Sequence, residues 1–249
     1  MGDVMDTPLL TICIPVYNEG ENIEAALLAI KSRLQYPFAV DIVYDFDGDN
    51  TLPVVRKVMD ANGMNIRLVR NKYGRGVLNA IKTGLEEAAS KYVIVTMADL
   101  SDPPEVMNGM IAAAETRQAD IVCASRYMRG GRQIGGPLFK GLMSRFAGLT
   151  LYHLAGLPTH DATNSFKLYR KSFLAATPIE STGGFELGIE LVVKAHLNHY
   201  RIAEVPTTWT DRVAGKSNFQ LRKWLPKYLR WYFSAFRRRK KNIGGERSQ

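Results

Sequence analysis

Between residues 9 and 125 short apolar runs alternate with helical repeats, and the connections are too short for anything but crossovers. That order leaves a right-handed, mainly parallel sheet with helices packed on it. The runs 9–15, 39–44, 66–69, 92–97 and 119–125 read as strands. Between them, Ile23, Leu27, Leu28, Ile30 and Leu34, then Leu52, Val55 and Val58, then Val77, Ile81 and Leu85, recur at helical spacing. A fourth helix is expected over 104–116. At 249 residues and 46% hydrophobic content the chain can bury a sizeable core.

The organising stretch is 93–105, where a β-branched run ends in Asp99 and Asp102 and then in Pro103 and Pro104, which cannot continue a strand. Open α/β sheets place ligands outside the carboxyl ends of their strands. Three acidic loops should converge there: Glu19, the group Asp45, Asp47 and Asp49, and Asp99 with Asp102. Grouped carboxylates repel a bare phosphate. They suit hydrogen bonding to a base or ribose, and a hard divalent cation that neutralises a diphosphate.

Other chemistries are poorly supported. Asn79 stands where a G-x-G-x-x-G fingerprint starting at Gly74 needs its last glycine, and there is neither a phosphate-binding G-x-x-x-x-G-K loop nor a G-x-S-x-G elbow. His196 and His199 share a helix without a nearby cysteine, which favours a packed or solvated face over zinc. Cys13 and Cys123 each lie inside an apolar run and read as core residues of a reducing compartment. Without a signal-peptide pattern or a run of apolar residues long enough to span a bilayer, a cytosolic or peripheral protein is expected.

Beyond residue 125 the pattern changes. Residues 126–136 are glycine-rich and basic, 138–157 and 185–197 read as helices, and 165–169 and 200–209 read as strands. The net charge of +9 is confined to residues 219–249, which hold ten Lys or Arg and one acid, so the body before them is neutral. We therefore expect a catalytic domain over 1–218 and an amphipathic basic helix and tail over 219–249. Leu225, Tyr228, Leu229, Tyr232 and Phe236 line one side of that helix, with Pro226 in its first turn or at a kink. Such a helix suits an anionic membrane surface or its own domain, or both at once. A nucleic-acid partner would need a basic body or recognition helix, and neither is evident.

Several of these segments together resemble the family 2 glycosyltransferases of the GT-A fold, in the branch of dolichol-phosphate mannosyltransferases and other polyprenyl-phosphate glycosyltransferases. The resemblance rests on Ile14-Pro15-Val16-Tyr17-Asn18-Glu19, the loop 45–51, Ala98-Asp99-Leu100-Ser101-Asp102-Pro103-Pro104-Glu105 and Ala124-Ser125-Arg126-Tyr127. It rests further on Asp161-Ala162-Thr163-Asn164-Ser165-Phe166-Lys167 and Asp211-Arg212-Val213-Ala214-Gly215-Lys216-Ser217. It implies nucleotide contacts from Pro15, Tyr17, Glu19, Asp45, Asp47, Asp99, Arg212 and Lys216. Catalytic roles are implied for Asp99, Arg126, Asp161 and Arg212, and an acceptor phosphate at Arg126, Lys140 and Ser144. The implied substrates are a GDP- or UDP-linked sugar and a polyprenyl phosphate, joined with inversion at the inner face of a membrane, where an integral-membrane partner is compatible. A saccharide acceptor, or a catalytically degenerate nucleotide-sugar-binding subunit, are the alternatives.

The resemblance also implies Mg2+ or Mn2+ at Asp99 and Asp102. Met97 stands where the family has the first aspartate of Asp-x-Asp, and a thioether is a poor ligand for a hard ion. Either Asp102 compensates, or the ion is weakly held or dispensable. Phe46 replaces an acid of the second loop, which bears on base recognition. Asp161 is open to three readings: a base, an orienter of Arg126 or the acceptor, or a structural ion pair.

Overall fold

A computed structural model describes residues 8–211 and 221–237 of the chain. The first half follows the expected alternation: β1 (Leu10–Val16), α1 (Ile23–Arg33), β2 (Phe38–Tyr44), α2 (Thr51–Asn62), β3 (Ile66–Arg70), α3 (Val77–Glu87), β4 (Tyr92–Val95), α4 (Val106–Thr116) and β5 (Ile121–Ser125). The second half holds β6 (Arg132–Ile134), α5 (Leu138–Ala155), β7 (Lys167–Arg170), α6 (Lys171–Ala176), α7 (Leu187–Leu197), β8 (Ile202–Pro206), β9 (Thr208–Thr210) and α8 (Leu221–Ser234).

One seven-stranded sheet runs in the order β3-β2-β1-β4-β7-β5-β8, all parallel except β7, which is antiparallel to both neighbours. Because successive side chains of a strand point to opposite faces, the sheet divides the core in two. Leu10, Ile12 and Ile14 of β1 meet Ile23 and Leu27 of α1, Val55 of α2 and Met107 and Met110 of α4. Cys13, Val43, Val93 and Val95 face the other way, toward Ile81 and Leu85 of α3, Leu191 and Val192 of α7 and Trp231 of α8. The two cysteines are free and fully buried, and burial pushes the Cys123 thiol up to about 11, so neither presents a thiolate. Gly84 lets α3 close on β1, since a Cβ there would overlap the Cys13 sulfur.

Three details depart from the periodicity. The basic segment after β5 contains β6, which pairs with β9 in a separate two-stranded parallel ribbon. The apolar run 200–209 is broken at Thr207, whose amide donates to Ser125 O at 3.1 Å, so its two halves join different sheets. Pro226 lies past the first turn of α8, inside the helix. The outer end of α8 nevertheless packs on the body, with Trp231 and Ala235 buried among α7 side chains.

Candidate functional site

The chain leaves β1 toward β2 and β3 on one side and returns to β4 on the other, so the topological switch point lies between β1 and β4. A ligand crevice is expected at the carboxyl ends of those strands. The loops leaving them each contain a non-glycine residue in the left-handed region, Asn18 (φ 55°) and Leu100 (φ 56°). Asparagine tolerates that conformation. A leucine there costs about 1 kcal/mol or more and persists only where the surroundings enforce it, which is common at functional sites.

The acidic residues behind this crevice differ in what holds them. Asp49 is buried and accepts from the Asn18 amide at 3.1 and 3.2 Å and from the Thr51 amide and hydroxyl at 2.9 and 2.5 Å. It ties the β1 and β2 loops together. Asp45 accepts from Asn71 Nδ2 at 2.7 Å and the Gly76 amide at 3.0 Å, and exposed Asp47 pairs with Arg70 at 3.1 Å. Pro15 is buried inside β1, in register with Val43, and Tyr17 is exposed just beyond the strand. Half-buried Glu19 takes a 2.8 Å bond from Asn22 Nδ2 at the start of α1.

In the β4 loop, Asp99 is half-buried and accepts from the Ser101 amide at 3.1 Å. Asp102 is buried, and its Oδ1 has no hydrogen-bond partner. Burial pushes the Asp102 carboxyl up to about 7, against the pull of Arg126 and with a further push from Asp99. Met97 packs its thioether against the core face that carries α3 and α7.

Because β7 is antiparallel, its amino end lies at the carboxyl edge of β4 and β5, and the segment before it brings Asp161 to Arg126, the residue after β5. Asp161 is fully buried. It accepts from Arg126 Nε at 2.7 Å, from Nη2 at 3.0 Å and from the Arg126 amide at 3.1 Å, with further bonds from Thr163 Oγ1 and the Asn164 amide. Burial alone would raise the Asp161 carboxyl, but Arg126 overcomes it and holds the group below its usual range. Burial likewise works against the Arg126 charge, and Asp161 more than restores it. Arg126 Nη2 also donates to Ser144 Oγ of α5 at 2.9 Å, and Ser144 and Thr163 hydroxyls lie 2.6 Å apart. Lys140 stands one turn before Ser144 on α5.

Periodicity and motifs passed over Arg75 and gave Lys167 no role of its own. Phe46 packs edge-on to Tyr17, with ring centroids 5.8 Å apart, and the Arg75 guanidinium lies 5.1 Å from the Phe46 ring centre. The signal for Arg75 was its place between Gly74 and Gly76, both at positive φ. Lys167 is wholly buried; its ammonium donates to the Ala162 and Asn164 carbonyls, and burial lowers its pKa. Nothing in its sequence context distinguishes it from an exposed strand lysine. Arg212 and Lys216 lie outside the described residues.

Residues 11–177 match the family described as Glycosyl transferase family 2. The chain belongs to that family. Its fold is that of solved glycosyltransferases of the GT-A class. Glucosyl-3-phosphoglycerate synthase from Mycobacterium tuberculosis, solved with Mn2+ and UDP, superposes with a TM-score of 0.68 at 15% identity, over 95% of this chain and 83% of that one. A mannosyltransferase from Pyrobaculum calidifontis, solved with GDP-Man and Mn2+, gives 0.64 at 18% identity, over 94% and 65%. In sequence, this glycosyltransferase is 28% identical over 216 residues to a dolichol-phosphate mannosyltransferase of Pyrococcus furiosus, and 29% identical over 222 residues to a polyprenol monophosphomannose synthase of Mycolicibacterium smegmatis. Those matches take in 85% and 86% of the chain, but 59% and 82% of the relatives' own lengths.

Among the described residues no three acidic, histidine or cysteine side chains group as a ready metal-ligand set. Two carboxylates, one with an orphaned buried oxygen, nonetheless fit a hard divalent ion that takes its remaining ligands from a diphosphate.

Proposed function

We propose that this glycosyltransferase moves a hexose from a nucleoside-diphosphate sugar to a polyprenyl phosphate, with inversion at the anomeric carbon. The observation that supports this reading is the Arg126 cluster. A guanidinium fixed by a fully buried carboxylate and two hydroxyls sits at the same sheet edge as the acidic loops. A phosphate acceptor is already ionised near neutral pH, so it needs positioning and not a strong base. Asp161 is saturated by five donors and kept ionised by Arg126, which suits an orienting role.

In this reading Tyr17, Glu19 and Asp45 meet the nucleoside, with Asp47 at the outer edge of that loop and Pro15 shaping its floor. Asp99 and Asp102 would hold Mg2+ or Mn2+, whose chemistry would be to stabilise the charge growing on the leaving diphosphate. Arg212 and Lys216 would contribute the same from the protein side. Arg126 and Ser144 align the acceptor phosphate, with Lys140 one turn away, and catalysis rests on alignment and charge complementarity.

The deciding experiment is single-turnover sugar transfer from GDP-mannose and UDP-glucose to a short polyprenyl phosphate, preceded by calorimetry of GDP and UDP with and without Mn2+. Asp99→Asn should lower turnover at least tenfold with unchanged folding, while Ser144→Ala should raise the acceptor KM several-fold and leave donor affinity alone. Donor binding without transfer to any lipid phosphate would refute the acceptor assignment and favour a saccharide acceptor or a binding subunit.

A further inference from the structure

Arg126 is aimed from two sides, by Asp161 in the segment between α5 and β7 and by Ser144 on α5. A guanidinium shared in this way is only as well placed as its two partners are relative to each other. Functional side chains keep their geometry to within about 0.5 Å only where bonds from outside lock the groups that hold them. Residues 157–161 form a connecting segment, which has no regular ladder of its own to do so.

The lock comes from Glu204. It lies in the middle of β8, an edge strand of the large sheet, in register with Cys123 of β5. An edge-strand glutamate is ordinarily a solvated charge. This side chain is only 13% exposed and spends both oxygens on one segment of chain. Oε2 accepts from the His160 amide at 2.8 Å and from the Thr159 hydroxyl at 3.2 Å, and Oε1 lies 2.6 Å from His160 Nδ1. An ionised carboxylate only accepts, so the ring nitrogen is the donor. Thr159 is fully buried, and its oxygen accepts in turn from the Asp161 amide at 3.2 Å. One carboxylate therefore fixes the two residues before Asp161 and, through a hydroxyl, the backbone of Asp161 itself.

The His160 ring reaches the second partner. It stacks on Tyr152 of α5 with centroids 3.7 Å apart and planes at 21°, and its carbonyl oxygen occupies the place of a Cβ on Gly148. Ser144, Gly148 and Tyr152 follow one another at intervals of four, so the face of α5 that meets Arg126 is the face that meets His160. β8 also runs beside β5 as far as Ser125, the residue before Arg126. Arg126, Asp161 and Ser144 are thus all referred to the same edge strand.

We propose that Glu204 and His160 are positioning residues of the transfer reaction, which fix Asp161 and Ser144 relative to each other and so set the direction in which Arg126 presents its guanidinium. Their use in the reaction rests on the reading of Arg126 as the acceptor-phosphate ligand. The aiming of Arg126 does not, and it can be observed without any acceptor.

The test compares Glu204→Ala, Glu204→Gln and His160→Phe in the 249-residue chain. Glutamine keeps an oxygen for the Thr159 hydroxyl and the His160 amide, and phenylalanine keeps the stack on Tyr152 without the ring donor. The first readout is the Arg126 Nε–H signal in proton–nitrogen correlation spectra, identified by its absence from Arg126→Lys. It should be sharp and slow to exchange in the wild type and in Glu204→Gln. In Glu204→Ala it should move and broaden, and in His160→Phe do so to a lesser degree. The second readout is steady-state transfer to a short polyprenyl phosphate from GDP-mannose or UDP-glucose, whichever the wild type uses. The acceptor KM should rise at least fivefold in Glu204→Ala and stay within about twofold of wild type in Glu204→Gln, with GDP and UDP affinities unchanged in both. A lowered melting temperature with the Arg126 signal in place would make Glu204 a structural residue only and overturn the proposal. An equal loss of nucleotide and acceptor affinity would overturn it too. Should Glu204→Ala fail to fold, the Arg126 signal of His160→Phe decides in the same way. A displaced signal with an unchanged acceptor KM upholds the positioning and refutes the lipid-phosphate reading instead.

Discussion

The loops after β2 and β4 each bury an aspartate at the carboxyl edge of the sheet, and the two are held in opposite ways. Asp49, 1% exposed, takes bonds from two backbone amides and a hydroxyl. Asp102, 6% exposed, keeps one carboxylate oxygen out of water with nothing donating to it. The first carboxylate is finished by the fold, and the second is unfinished until a proton or a cation arrives. Burial of an acid therefore does not separate scaffold from chemistry; the inventory of donors does. By that measure Asp161, also buried, belongs with Asp49: it is satisfied in full, by the guanidinium that it aims.

The largest effect should come from breaking the most complete of these sets. Asp161→Ala strands Arg126, whose side chain is 12% exposed, and should cost about 3–5 kcal/mol in urea unfolding. Replacing both partners with apolar residues should recover much of that stability while transfer stays lost, since the ion pair orients but does not hold the fold together alone. If Asp161→Ala unfolds at the wild-type midpoint, the grouping of Asp161 with Asp49 fails. Asp49→Ala comes next, at about 2 kcal/mol, because it leaves the buried Thr51 amide and the Asn18 amide without their acceptor. Donor affinity should fall with it as the β1 loop comes loose.

Asp102→Asn should invert the pattern. The Asp102 carboxyl is raised from 3.8 to about 7, so the folded protein binds its proton more tightly than the unfolded chain does. The stability this contributes is complete below about 3.8 and is lost as the pH rises through about 7. In the presence of a chelator, the wild type should therefore lose stability relative to Asp102→Asn over that window, while the variant's turnover with Mn2+ falls at least tenfold. A variant less stable than wild type at pH 8, with normal turnover, would put Asp102 in the same class as Asp49.

Much of the architecture was legible in the sequence because strand and helix periods are local. The parallel strands, the four intervening helices and the convergence of three acidic loops all follow from spacing in residues 9–125. What was not legible is what depends on non-local partners. The direction of β7, which delivers Asp161 to Arg126, is set by neighbours that lie far away in sequence. Asp45, Asp47 and Asp49 read as one acidic group, yet Asn71, Arg70 and Thr51 separate them into three different environments. The aromatic repeat of 219–236 showed a helix, but its division into buried Trp231 and Ala235 against exposed Phe233 follows only from where α7 lies. On α5 the sequence read only as a helix, and the exposure of Leu138, Phe139, Leu142 and Phe146 follows from where that helix sits.

The smallest prediction concerns the strain beside the unfinished aspartate. Leu100, at φ 56°, sits between Asp99 and Ser101, and the Ser101 carbonyl is tied at 3.0 Å to the Thr210 amide of β9. Glycine relieves the left-handed penalty of about 1 kcal/mol but gives back a similar amount as extra freedom in the unfolded chain. Leu100→Gly should therefore leave the unfolding midpoint within about 0.5 kcal/mol of wild type. Its effect should appear in the site: with the backbone free to leave this conformation, Asp99 and Asp102 hold their spacing less well, and Mn2+-supported donor binding should weaken a few-fold in calorimetry. The loop after β2 has no such residue, so a glycine introduced at Phe46 should not produce a metal-dependent loss. Equal metal dependence in the two variants would mean that the β4 loop is no more committed to an ion than the β2 loop.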